Sequence, residues 1–265
     1  MFPFFEIYEG FLIYTFWLTL TFCFFLFIWM LKKLSFKYSY DLSFFTKNIV
    51  WYFISVFIFS RLFFVISKWS DLVHIRDPFQ FFITSDYNFS LIWAIFWFFL
   101  VLIINLKLKK EKLEKYIDGV MLSFFFVLFI WYLWALLGWQ VYGRETTIWI
   151  EILYTHPFTK VPYEVAIFPL PVIYSIVFFI EFSIFYIISM YLGIRWFIGY
   201  LWLIVFSSTI LVLEFFSWKY DVFKDNLSFN FTQALSIIII AVSSYFLYKI
   251  VNNNDIDKDD LLIKS

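Results

Sequence analysis

Seven apolar stretches, separated by basic or aromatic segments, set the pattern of this 265-residue chain. They run near Phe11 to Met30, Ile49 to Ser67, Leu91 to Asn105, Ile117 to Gly138, Phe168 to Leu192, Trp196 to Phe216 and Phe231 to Val251. A helix rises ~1.5 Å per residue and a bilayer core is about 30 Å thick, so roughly 20 apolar residues make a span. The pattern predicts an all-α, polytopic integral membrane protein of about seven transmembrane helices. Arg61 interrupts the second run, and the third is short. Residues 1–251 read as a single transmembrane domain and 252–265 as a polar tail rich in Asn, Asp and Lys.

Lysines give the spans a direction. Lys32, Lys33, Lys37 and Lys47 follow the first run; Lys107, Lys109, Lys110, Lys112 and Lys115 follow the third. Arg195 follows the fifth, and Lys249, Lys258 and Lys264 follow or end the seventh. Every second connection is therefore basic, and the positive-inside rule assigns those connections to the cytoplasm. The amino terminus then falls outside and the carboxyl terminus inside. The outer connections, at 68–90, 139–167 and 217–230, are long and carry Trp69, Phe79, Phe81, Phe82, Tyr87, Trp149, Tyr154 and Phe158. Such aromatics suit the headgroup layer better than free aqueous loops.

Composition agrees. The chain is 63% hydrophobic and 15% charged, where soluble domains carry about 25% charge. Its net charge is zero, so no overall basic field draws nucleic acid. Met1 to Gly10 contains Glu6 and Glu9 but no Lys or Arg, which predicts a retained first helix in place of a cleaved signal peptide. A single cysteine, Cys23, lies in an apolar run and permits no intrachain disulfide. Phenylalanine supplies 42 residues and glycine only 6, an unusual balance for helices that commonly pack through small side chains.

Ionisable groups within apolar runs are costly in a bilayer and mark candidate sites or structural pairs. Arg61 lies about 12 residues, or ~18 Å, from the inner end of its run, in the outer half of the core. Direction brings Glu9, Asp86, Asn88, Ser90, Gln140, Arg144, Glu145 and Glu214 to the same outer side. Guanidinium groups bind phosphate bidentately and stay charged in a low dielectric, so a phospholipid headgroup is the expected ligand. Glu181, mid-run, has three open readings: protonated, paired, or part of a polar path. His74 and His156 have no partners at a metal-ligating spacing, so no metal site is expected. No GxSxG, Walker A or GxGxxG pattern occurs, and no cofactor is implied.

Several segments resemble prolipoprotein diacylglyceryl transferase, the bacterial enzyme that lipidates the lipobox cysteine of exported lipoproteins. Ser60-Arg61-Leu62-Phe63, ending at Val65, resembles the family's Gly-Ala-Arg-Leu-x-Tyr-Val segment, and Asp77-Pro78 its Asn-Pro turn. Asp118 resembles the aspartate opening the corresponding helix, and Tyr142-Gly143-Arg144 the end of the Asn-Gly-Glu-x-x-Gly-Arg signature. Leu213-Glu214-Phe215-Phe216 resembles the late Val-Glu-Phe-Phe segment, and Gln233 with Leu235-Ser236 the Gly-Gln-x-x-Ser opening of the last helix. The chain departs at the family's His-Gly-Gly, matched by Ser90-Leu91-Ile92. It departs also at the signature arginine, matched by Tyr132, and at the Asn-Gly-Glu, matched by Gly138-Trp139-Gln140. The Tyr-Glu is matched by Tyr174-Ser175, and the late arginine by Ile210.

The resemblance implies seven spans in a bacterial cytoplasmic (inner) membrane. It implies transfer of a diacylglyceryl group from phosphatidylglycerol to the lipobox cysteine of a prolipoprotein signal-peptide region, with release of glycerol phosphate. Arg61, Tyr142, Gly143 and Arg144 are the expected substrate-binding residues. Glu214 is the expected catalytic residue, with Gln140 and Glu145 as local candidates. A neutral thiol is a weak nucleophile, so loss of the matched histidine leaves Glu145, Glu214 or Asp86 to activate it. Two other readings stand beside this one: a non-catalytic relative that binds phospholipid or lipoprotein precursor, and an unrelated small transporter with Arg61 and Glu181 on its path.

Overall fold

The computed structural model describes residues 4–8, 11–67, 91–111, 113–138, 141–147, 150–153, 165–191, 197–217 and 231–252. Outside them lie Glu9, His74, the Asp77-Pro78 turn, Asp86, Asn88, Ser90, Gln140, His156, Arg195, the eight aromatic residues named above for the outer connections and nearly all of the polar tail.

Two short strands, β1 (Phe4–Tyr8) and β2 (Phe11–Tyr14), pair antiparallel with a register shift between Glu6 and Tyr8. The helices follow: α1 (Thr15–Tyr38), α2 (Ser43–Thr46), α3 (Ile49–Ser67), α4 (Leu91–Lys109), α5 (Ile117–Gly138), α6 (Leu170–Tyr191), α7 (Phe197–Leu213) and α8 (Phe231–Asn252). Single 3₁₀ turns at Leu113–Lys115 and Glu214–Phe216 precede α5 and extend α7. Among the described residues, five stretches are long and apolar enough to cross a membrane: α1, Ile117–Leu137 of α5, α6, α7 with its 3₁₀ turn, and Thr232–Lys249 of α8. α3 and α4, 19 residues each, pack against one another.

The first expected span is corrected at both ends. Phe11 to Tyr14 is strand, because Phe-Leu-Ile-Tyr is apolar and β-prone and finds a partner in Phe4–Tyr8. The helix then continues beyond Met30 to Tyr38. The lysines in that extension are accommodated by their long stems: Lys33 reaches over the Trp29 ring at 5.7 Å, and Lys37 Nζ donates to the Ser189 carbonyl and hydroxyl at 2.5 and 3.0 Å. Ser39, with a φ of 54°, then takes the left-handed conformation that ends the helix. α4 ends the same way. Lys110 has a φ of 55°, and the Glu111 N–H returns to the Leu106 carbonyl at 3.0 Å, closing a Schellman turn.

α5 is apolar on all sides and sits at the centre of the bundle, packed against α1, α6 and α7, while α8 packs on α7 at the edge. Val120, Met121, Leu122 and Phe125 of α5 are fully buried. Aromatic rings do much of the packing. Trp202 stacks on Phe206 at 4.8 Å, Phe206 lies 5.9 Å from Phe178, and Phe125 meets Trp202 at 4.9 Å. Glycine is kept where groups touch: a Cβ on Gly119 would stand 2.6 Å from the Tyr40 ring, whose hydroxyl donates to the Leu31 carbonyl. The buried Asp118 carboxylate accepts from the Gly199 N–H at 2.8 Å and ties the start of α5 to the start of α7.

Candidate functional site

The chain leaving α5 makes the central strip of the site. Gly143 bridges antiparallel to Ser217, and Glu145 to Ile167. Arg144 therefore lies between two partners: its N–H donates to the Phe216 carbonyl at 2.9 Å, and its carbonyl accepts from the Phe168 N–H at 2.8 Å. Its side chain adds a third tie, Nε donating to the Ser217 carbonyl at 3.1 Å. The Ser217 N–H in turn donates to the Glu214 carbonyl at 3.1 Å. Three connections, after α5, before α6 and after α7, are thus sewn together at one end of the bundle.

Gly143 is required by that closeness. A Cβ there would stand 2.4 Å from the Phe168 carbonyl oxygen and 2.9 Å from Phe168 Cβ. The rings of Phe168 and Phe216 stack at 4.9 Å across the same strip. The Arg144 side chain is exposed although its backbone is fixed on both sides, so a guanidinium is presented outward from a rigid seat. Tyr142 is half-buried and Glu145 exposed.

Glu214 faces inward and is 4% exposed. Its carboxyl interacts electrostatically with the phenols of Tyr132 and Tyr174, whose rings stack at 4.4 Å between α5 and α6. The stack continues to Phe178, 5.5 Å from Tyr132 and 5.8 Å from Tyr174. Ser175 Oγ donates to the Phe129 carbonyl at 2.8 Å and pins α6 to α5 just below. Gln233, at the start of α8, is buried beside Leu211 of α7.

Arg61 is buried in α3. It lies one turn beyond Phe57, whose ring meets Trp17 near the start of α1 at 5.5 Å. Phe16 meets Trp131 of α5 at 5.7 Å. These contacts place Arg61 toward the end of the bundle from which the Gly143 strip emerges. Of the expected site residues, Tyr142, Gly143, Arg144, Glu145 and Glu214 belong to one constellation; Arg61 is at the same end of the bundle, and Gln140 is outside the described residues.

Sequence reasoning missed Ser217 and Phe168, whose ties to Arg144 run through backbone atoms and leave no pattern in the sequence. It treated Tyr132 and Tyr174 only as departures from a motif; the i, i+4 spacing of Tyr174 and Phe178 marks one helical face and is the sequence signal of the stack. Among the described residues no group of three or more His, Cys, Asp or Glu is placed to hold a metal ion.

By the length and apolar composition of its helices the chain is a helical, multi-pass membrane protein, with a polar strip at one end. No protein-family model matches it, and a search of curated proteins found no match.

Proposed function

We propose that this chain is a divergent prolipoprotein diacylglyceryl transferase of a bacterial cytoplasmic membrane, with seven spans, its amino terminus outside and its carboxyl terminus inside. The observation that carries the reading is the union of Gly143-Arg144 with Glu214 through the Gly143–Ser217 bridge, since both segments were singled out by the same resemblance. The threading is supported by helix ends that meet as alternating spans require. Lys37 near the end of α1 meets Ser189 near the end of α6, and the starts of α5 and α7 meet through Asp118. Lys37, Tyr40, Lys109 and Tyr116 gather at that basic end, with Tyr40 and Tyr116 in ring contact at 5.6 Å and Lys109 over the Phe44 ring at 4.9 Å.

In this reading Arg144, aided by Arg61, neutralises the phosphatidylglycerol phosphate, where charge builds as glycerol phosphate departs. The cysteine sulfur forms a C–S bond to the diacylglyceryl carbon. The C–O bond to phosphate breaks, and its electron pair leaves on the phosphate oxygen. A carboxylate, Glu214 or Glu145, takes the thiol proton. The prolipoprotein signal-peptide region enters from the bilayer.

A second reading rests on a specific observation. Where the resemblance expects arginine, Tyr-Glu and arginine, the chain has Tyr132, Tyr174-Ser175 and Ile210, and the two tyrosine rings close on each other beside Glu214. A protein so altered binds the phospholipid without turning it over. The deciding experiment follows labelled diacylglyceryl from phosphatidylglycerol to a lipobox-cysteine peptide with the purified protein, beside Arg144→Ala. Thiol-dependent transfer abolished in the variant establishes the transferase. Phosphatidylglycerol binding without transfer establishes the lipid-binding relative, and neither activity sinks both readings.

A further inference from the structure

Glu181 plays no part in the site above. It is the twelfth of 22 residues in α6, ~16 Å along the axis from either end, and is 9% exposed. One carboxyl oxygen, Oε1, accepts from the Thr209 hydroxyl of α7. The other, Oε2, is buried with no hydrogen-bond partner among the described residues. The helix faces around it are apolar, with Phe126 of α5 against Phe182 at 5.3 Å and Phe129 against Phe179 at 5.4 Å.

The ionisable groups on the packed elements lie elsewhere along the bundle. α5 brings Asp118 and Tyr132, and α7 brings Tyr200 with Glu214 just beyond its end. α1 brings Lys33 over the Tyr186 ring at 5.9 Å, Lys37 at Ser189, and Tyr38 next to Lys37 at the helix end. α6 itself adds Tyr174, Tyr186 and Tyr191. Among the described residues none of these forms an ion pair with Glu181, whose electrostatic surroundings reduce to burial and the Thr209 hydroxyl.

An isolated carboxylate in hydrocarbon is expensive, and buried polar atoms of a purely structural group are nearly always satisfied. Among the described residues Glu181 has neither a cation nor a complete set of partners. Thr209 fixes one oxygen, and the second is left for the one ligand small enough to need no cavity. We propose that Glu181 and Thr209 form an intramembrane proton-binding site, in which Glu181 Oε2 takes up and releases a single proton while Thr209 holds Oε1. The exchange is the addition of one proton to one carboxylate, and no other bond changes. It is independent of the lipid chemistry assigned to the outer strip.

The test uses the full chain in phosphatidylcholine nanodiscs. Infrared difference spectra between wild type and Glu181→Gln read the carbonyl stretch of a carboxylic acid across a pH titration. Dicyclohexylcarbodiimide labelling, located by peptide mass spectrometry, reads the same group chemically. The expected result is an acid band that is absent in Glu181→Gln, disappears reversibly with rising pH, and coincides with labelling of Glu181. Thr209→Val retains the band but moves its frequency, because the carbonyl loses a donor. The proposal is overturned if folded protein shows no such band and no label. A band that persists unchanged until the protein unfolds also overturns it, because that group is structural. Suppression of labelling by sodium at fixed pH assigns the site to a metal cation and overturns the proton reading.

Discussion

Replacing Gly143 by alanine tests whether the strip between α5, α6 and α7 is as tight as it must be to hold Arg144. The added methyl would lie 2.4 Å from the Phe168 carbonyl oxygen, whereas ordinary contact begins at 3.4 Å, so the two segments must part by about 1 Å. The obstacle is backbone, and no side-chain rotation relieves it. A shift of that size removes the 2.8 Å bond from the Phe168 N–H to the Arg144 carbonyl and strains the 2.9 Å bond from Arg144 to Phe216. Overpacking costs ~1–3 kcal/mol, and a lost buried hydrogen bond about 1 kcal/mol more. The sum, ~2–4 kcal/mol, corresponds to a melting point lower by roughly 5–15 °C in a chain of this size. Thermal unfolding in nanodiscs, followed by the fluorescence of the 13 tryptophans, measures it, with phosphatidylglycerol affinity read in parallel. Gly199→Ala is the control. Its Cβ would meet Ile117 Cγ1 at 2.7 Å at the opposite end of the bundle, so it also destabilises but leaves lipid affinity unchanged. A Gly143→Ala protein with the melting point and lipid affinity of wild type refutes the argument.

Arg144→Ala is expected to weaken phosphatidylglycerol binding roughly tenfold to a hundredfold, the worth of one or two charge-assisted hydrogen bonds, and Arg144→Lys to recover only part of it. Vesicle flotation measures both, and equal binding by Arg144→Ala removes the arginine from the site. Asp118→Ala leaves the Gly199 N–H buried without its acceptor and is expected to cost ~1–3 kcal/mol, whereas Asp118→Asn keeps an acceptor oxygen and most of the stability; denaturation of the two side by side decides it. Burial, followed by the Glu111 and Asp41 carboxylates, pushes the Tyr116 phenol up to about 12. The neutral phenol is favoured in the folded state. Its stabilisation is therefore complete below pH ~10, the ordinary tyrosine value, and is lost as pH rises from there toward about 12. Melting points across that window should fall more steeply for wild type than for Tyr116→Phe, and parallel curves contradict the assignment.

Much of the helical framework was legible because apolar run length is a direct physical requirement of a bilayer. The run from Ile117 to Gly138 coincides with α5, and that from Phe231 to Val251 with α8 to within one residue. The misreading at the first run has a cause in the side chains. Phe11 to Tyr14 is equally apolar as helix or strand, and only pairing with Phe4–Tyr8 decides between them. At the other end, charge was read as a stop. Lys32, Lys33 and Lys37 instead lie within the helix, and long stems carry the Lys33 and Lys37 ammonium groups to an aromatic face and to Ser189.

The site was legible as residue types and not as an assembly. Arg144 and Ser217 stand 73 positions apart and meet through a carbonyl, which no periodicity reports. Glu181 was visible as an ionisable group in an apolar run; its Thr209 partner, 28 positions away, was not. The same contrast explains the glycine and phenylalanine counts. Helices that cannot approach through small residues fill the space between them with interlocking rings, as Trp202, Phe206 and Phe178 do. Three glycines among the described residues stand where a ring, a side chain or a carbonyl presses on the backbone: Gly119 under Tyr40, Gly199 against Ile117, and Gly143 against Phe168. Of these, Gly143 is the one pressed by backbone and flanked by a side-chain guanidinium, so the closest approach among the three glycines is also the seat of the candidate chemistry. A substitution there tests fold and function in a single residue, and the opposite-end control at Gly199 separates the two.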